Sequence, residues 1–193
     1  MSALLPRKGI TKFRCPDLSP NDLSVAAWVK IEAIDVLLGA DLEEHNVMGR
    51  GWTAVIASTN RPPGLATAFK VAHHGSATGH HDGIWRQLLI PSPVAILTPW
   101  NRGQRPPTNS DCARILGFTS KGFATSRAIR QRPKFRPPAV IRTLREANIK
   151  VQNAEPPIGY VQLRRTMNET DWRITLSQHS VPLRNYHLEI MVS

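Results

Sequence analysis

Apolar residues in the first hundred positions fall in short runs broken by Gly, Pro and charged residues. Leu23 to Ile31 and Ala33 to Leu38 read as two strands with a tight connection at Glu32, and the second is apolar enough to be buried on both faces. Ala66 to Ala72 reads as a strand leading into His73, and Val94 to Leu97 as another buried strand. Between these two, Asp82 is placed to cap a helix whose Ile84, Trp85, Leu88 and Leu89 share a face, with Pro91 and Pro93 stopping it. A strand, helix, strand order predicts an α/β layer.

The remaining pattern is more broken. Leu42 to Met48 opens with Glu43 and Glu44, carboxylates suited to a first helical turn, and ends at Gly49 and Gly51. Trp52 to Ser58 fits a helix or a strand, and Asn60 to Gly64 and Pro99 to Pro107 are loops. Asp111 to Leu116 predicts a short helix and Ala139 to Ala147 a longer one with Val140, Ile141 and Leu144 on its inner face. Ile149 to Gln152, Tyr160 to Arg164 and Trp172 to Leu176 read as strands, the last two as a hairpin around Met167 to Thr170. Gln131 to Pro138 is a linker or exposed loop, and no internal repeat is evident.

A chain of 193 residues with 41% apolar content suffices for one substantial core, so residues 1–193 are expected to form a single domain. Its two cysteines, Cys15 and Cys112, form no Cys-x-x-Cys pair, which argues against a disulfide framework and fits a reduced, cytoplasmic setting. The first ten residues hold only Ala3 to Leu5 as an apolar core, too little for a signal peptide. No run nears the ~20 apolar residues of a membrane helix, so a soluble protein with no membrane partner is expected.

Charge changes the picture, because it is uneven. Residues 1–100 hold nine Lys or Arg against eight Asp or Glu, and residues 101–193 hold sixteen against six, so a net +10 falls in the second part. Its densest stretch carries Arg127, Arg130, Arg132, Lys134, Arg136, Arg142, Arg145 and Lys150 against Glu146 alone. A basic loop over 127–138 would attract polyanions, DNA or RNA, through phosphates without reading sequence. A solvated surface rich in arginine is the plainer alternative.

Two strings carry candidate chemistry. Leu37-Leu38-Gly39-Ala40-Asp41 ends an apolar stretch in a carboxylate, and Lys70-Val71-Ala72-His73-His74-Gly75-Ser76 ends one in an imidazole pair. Strand ends that converge at one sheet edge would offer O and N ligands to a divalent cation. In extended backbone adjacent side chains point opposite ways, so one of His73 and His74 is expected to face the metal and the other to orient a ligand or substrate. Gly75 lets the chain turn close to the site, and Ser76 either bonds a ligand or caps the turn. His80, His81 and Asp82 read as an exposed helix start. Asn101 suits a site mouth or an ordinary turn, and Trp100 suits either base stacking or the core.

In order, Asn21 to Val25, Val36 to Glu43, Gly51-Trp52, Lys70 to Ser76, Pro93 to Thr98 and Asn101 resemble the C-terminal half of a metallo-β-lactamase-fold hydrolase, in its soluble ComEC-like (competence protein) branch. The resemblance spans roughly residues 20–165. It implies half of an αββα sandwich, a mixed sheet with flanking helices, and metal ligation by Asp41, His73 and His74 to zinc or manganese. It also implies substrate contacts from Ser76 and Asn101. The His-x-His/Asp-x-Asp-His string that supplies most of that family's ligands is absent from this chain, and Arg102 to Thr108, where the family carries Gly-His-Pro after the asparagine, holds no histidine. The expectation is therefore a metal-dependent hydrolase subunit or fragment, inactive alone, acting on phosphodiester or nucleic-acid substrates. A polypeptide supplying the N-terminal half would complete it. The alternative is a non-catalytic basic module that binds nucleic acid or protein.

Overall fold

The computed structural model describes residues 20–100, 106–127, 137–149 and 159–187. A six-stranded mixed sheet runs in the order β1 (Ala27–Ile31), β2 (Ile34–Leu38), β3 (Ala66–Lys70), β4 (Leu89–Leu97), β5 (Gly122–Ala124) and β8 (Val181–Pro182). The four inner strands are parallel, and β1 and β8 close the edges antiparallel. Helices α1 (Gly51–Ala57), α2 (Asn109–Leu116) and α3 (Pro138–Glu146) intervene, and β6 (Val161–Arg164) pairs with β7 (Arg173–Leu176) as a separate antiparallel hairpin. The protein is thus mixed α/β.

Register explains where the core sits. Leu37, Phe69, Ala95 and Gly122 stand in one row across β2 to β5, so the side chains of the first three share a face. Phe69 meets Trp52 of α1 edge-on at 6.3 Å and Trp85 at 5.4 Å between ring centroids, and Trp85 stacks on Phe118 at 5.1 Å. Trp52 is fully buried, and its indole N–H donates to the Leu42 carbonyl, which satisfies the one polar atom such a ring carries. Thr108 and Asp111 cap α2 reciprocally. From that helix Arg114 reaches back to donate to the Gly75 carbonyl at 2.7 Å, fastening α2 to the turn after β3.

Several elements differ from the sequence expectation, each for a local reason. Leu42 to Met48 forms no helix: Glu44 instead accepts from the Thr53 backbone and hydroxyl at the start of α1, and Glu43 turns to His73. The predicted helix at Ile84 is one wide turn, Ile84–Leu88, and Asp82 bonds His80 and Arg86 rather than capping it. Pro91 and Pro93 do not end a helix. They lie within β4, where Ser92 has φ +54° and the pairing with β3 shifts register, a bulge that absorbs the missing N–H donors. Val140 and Ile141 of α3 are 43% and 41% exposed, so the expected inner face is not buried. Ile149 is described outside any strand, and residues 150–152 of that expected strand lie outside the described residues. The β6–β7 hairpin forms as predicted, and β5 and β8 were not foreseen. No helix among the described residues is long and apolar enough to cross a membrane.

Candidate metal centre

Because β2, β3 and β4 are parallel, their C-terminal ends open on one edge, the place where open α/β sheets bind ligands. Pairing continues past the strands: Gly39 N–H donates to the Lys70 carbonyl and His73 N–H to the Ala40 carbonyl, both at 2.9 Å. The approach is so close that a β-carbon on Gly39 would lie 2.8 Å from the backbone nitrogen of Ala72. Three non-glycine residues of these turns hold left-handed backbone, Ala40 at φ +46°, His73 at +43° and His74 at +56°. Such conformations cost on the order of 1–3 kcal/mol each and cluster where a site needs an unusual aim.

This backbone overturns the extended geometry expected for the histidine pair. His73 and His74 sit in a tight turn, His73–Gly75, separated from the end of β3 by Val71 and Ala72. His74 Nδ1 lies 2.7 Å from the Thr98 carbonyl, which can only accept, so Nδ1 carries the proton and Nε2 keeps its lone pair. That Nε2 stands 3.6 Å from Asp41 Oδ1. His73 is likewise oriented through Nδ1, but its other nitrogen is engaged by an amide donor. Its Nδ1 is 3.0 Å from Glu43 and 2.9 Å from the Thr78 hydroxyl, and its Nε2 faces the Asn21 amide nitrogen at 3.4 Å. A histidine oriented through one nitrogen by a carbonyl or carboxylate presents the other as a ligand.

Two donors about 2.1 Å from one tetrahedral ion stand roughly 3.4 Å apart, so the Asp41–His74 separation fits a shared divalent cation. The described residues contain no group of three or more His, Cys, Asp or Glu able to hold a metal ion. The donor set thus fits two corners of a coordination shell rather than a closed one.

The surroundings are electrostatically mixed. Burial pushes the Lys70 ammonium, at the end of β3, below the usual lysine range, while the Asp41 charge opposes that shift. Burial likewise lowers His80, whose Nδ1 accepts from the Trp85 indole and whose Nε2 donates to Asp82. An open groove of about 520 Å³, lined by Glu44, Asn46, Ala77, Thr78, His80, His81 and Asp82, adjoins the His73 network through Thr78. Burial, with the Asp111 charge behind it, pushes the Cys112 thiol up to about 12.

Of the residues singled out by sequence, the structure brings together Asp41 and His74, and sets His73 beside them with its ring centroid 6.1 Å from that of His74. The Ser76 hydroxyl bonds Thr78 and accepts from Gly79 N–H, serving the local turn. His80, read as exposed, is largely buried, with its side chain 16% exposed. Arg127 is partly buried, while Asn101, Arg130, Arg132, Lys134 and Arg136 lie outside the described residues. Glu43, Thr78 and the Thr98 carbonyl were not anticipated as orienting partners. Only Glu43 carried a usable signal, two residues after Asp41 in the same string.

Comparison of the chain with protein-family models, curated proteins and solved structures finds no match in any of the three. The likeness to a metallo-β-lactamase half therefore rests on the motif residues themselves.

Proposed function

We propose that this chain is half of a metallo-β-lactamase-like αββα sandwich, a subunit or fragment of a metal-dependent hydrolase whose remaining ligands come from another polypeptide segment. The observation that carries the reading is the convergence of two strained turns at adjacent parallel strand ends, which aims Asp41 and the His74 Nε2 at a common point. In this reading Asp41, His73 and His74 face zinc or manganese, and the substrate is a phosphodiester or related ester. A divalent ion there supplies Lewis acidity toward the ester oxygen. The chain's own residues do the aiming: Thr98 fixes the His74 tautomer, Glu43 that of His73, and Lys70 places a cation beside the edge.

Equilibrium dialysis against Zn²⁺ tests this. The isolated chain should take up zinc weakly and hydrolyse no phosphodiester. Asp41→Asn and His74→Ala should each lower that uptake, by about 10- to 100-fold, with unchanged circular dichroism. Uptake indifferent to both substitutions, or a tightly held zinc pair with turnover in the isolated chain, would defeat the proposal.

A second reading, a basic module that binds nucleic acid or protein without catalysis, is favoured by the net +10 of residues 101–193. Affinity for duplex DNA should then fall steeply with salt, with a slope of about 0.9 per phosphate neutralised. Neutralising Arg130, Arg132, Lys134 and Arg136 together should flatten the slope. A slope unmoved by the fourfold change would remove the basic loop from any nucleic-acid contact.

A further inference from the structure

His80 joins the open groove to the aromatic core. Its side chain is 16% exposed and each ring nitrogen has a partner: Nδ1 accepts from the Trp85 indole at 3.3 Å, and Nε2 donates to Asp82 at 3.0 Å. Because an indole nitrogen only donates, this pattern requires a neutral ring with its lone pair at Nδ1. Trp85 is 6% exposed and packs on Phe69 and Phe118, with ring centroids 5.4 and 5.1 Å away. His80 thus supplies an acceptor for the polar atom of a ring that the core otherwise holds. On its other side it lines the groove with Glu44, Thr78, His81 and Asp82.

We propose that His80 is an acid-sensitive latch: a proton taken up at Nδ1 releases Trp85 and loosens this wall of the groove from the core. An imidazolium has no lone pair, so two N–H donors would then face each other across 3.3 Å. Attraction to the Asp82 carboxylate persists, which draws the ring toward the groove while the buried indole N–H is left without its acceptor. Around His80 stand Asp82, which favours the charged ring, and His81 and the Arg114 guanidinium of α2, which oppose it. Arg86 is bound to the same Asp82 carboxylate, and Glu44 lies within electrostatic reach of His81. Burial outweighs Asp82 and holds His80 below the ordinary histidine value. The fold therefore favours the neutral ring: its contribution is complete above about pH 6.5, the unfolded value, and is lost as pH falls through the lower folded value.

NMR titration of the full-length chain between about pH 7.5 and about pH 5 tests this. At the upper end the His80 ring should be neutral with its proton on Nε2. It should titrate below about 6.5, and the Trp85 indole proton should shift with the same midpoint. His80→Asn places a non-titrating amide oxygen near the Nδ1 position, so the indole proton should hold still over the whole range. Trp85→Phe keeps an aromatic ring but removes the opposing donor, so the His80 midpoint should rise. Thermal melts give a second reading: below about pH 6.5 wild type should lose more melting temperature than His80→Asn. A His80 midpoint at or above about 6.5, an indole proton indifferent to pH in wild type, an indole shift undiminished in His80→Asn, or a midpoint unmoved by Trp85→Phe would each overturn the inference. If Trp85→Phe fails to fold, the wild-type and His80→Asn titrations still decide it.

Discussion

Replacing Phe69 by Ala should destabilise the fold by about 3–5 kcal/mol, the usual cost of emptying a buried phenyl site. Phe69 is 2% exposed and holds two tryptophans at once, Trp52 of α1 and Trp85 of the turn before β4, both edge-on. Neither neighbour can slide into the vacated space without breaking its own anchor, Trp52 to the Leu42 carbonyl and Trp85 to His80. Against a total stability of roughly 5–15 kcal/mol, such a loss lowers the melting temperature by on the order of 10 °C. Phe69→Leu, which keeps most of the volume, should cost less than about half as much. Urea midpoints of the three proteins decide it, and a cost near 1 kcal/mol for Phe69→Ala would mean the aromatic row is not the centre of the core.

Gly39→Val should separate the two site-bearing turns and remove metal uptake although every donor remains. An added β-carbon meets the backbone nitrogen and α-carbon of Ala72 at 2.8 and 2.9 Å, atoms that cannot rotate away. The turns must part, stretching the hydrogen bonds from Gly39 to Lys70 and from His73 to Ala40. Overpacking of this kind costs typically 1–3 kcal/mol, and two branches make valine the harsher test. Because Asp41 and His74 are 3.6 Å apart only through these turns, zinc uptake should fall as far as in Asp41→Asn. A folded Gly39→Val chain with wild-type uptake would show that the donors are positioned by something other than this junction. Gly39→Ala, with a single methyl, should fall between.

The two sets of measurements separate stability from site geometry. Phe69→Ala acts on the layer beneath the sheet and should leave the zinc affinity of the folded fraction unchanged. Gly39→Val acts where that layer ends, so its two effects should appear together.

Local pattern determined much of this protein. The alternating and apolar runs located β2, β3 and the end of β4, the stretch from Asp111 to Leu116 located most of α2, though not its cap at Thr108, and two β-rich runs around a turn located the β6–β7 hairpin, because each signal is contained within a few neighbouring residues. The strings ending in Asp41 and His73-His74 marked the candidate site for the same reason. What sequence missed depends on partners far along the chain. Glu44 abandons its own helix because Thr53 offers a backbone and a hydroxyl donor together, and Ser92 bends β4 to keep two prolines inside a strand. Only the parallel order of β2, β3 and β4 carries the two strings to one edge. Only the left-handed turns and the Thr98 carbonyl, 24 residues from His74 in sequence, decide which imidazole nitrogen faces Asp41. Those are consequences of sheet order and close backbone approach, which no spacing along the chain encodes.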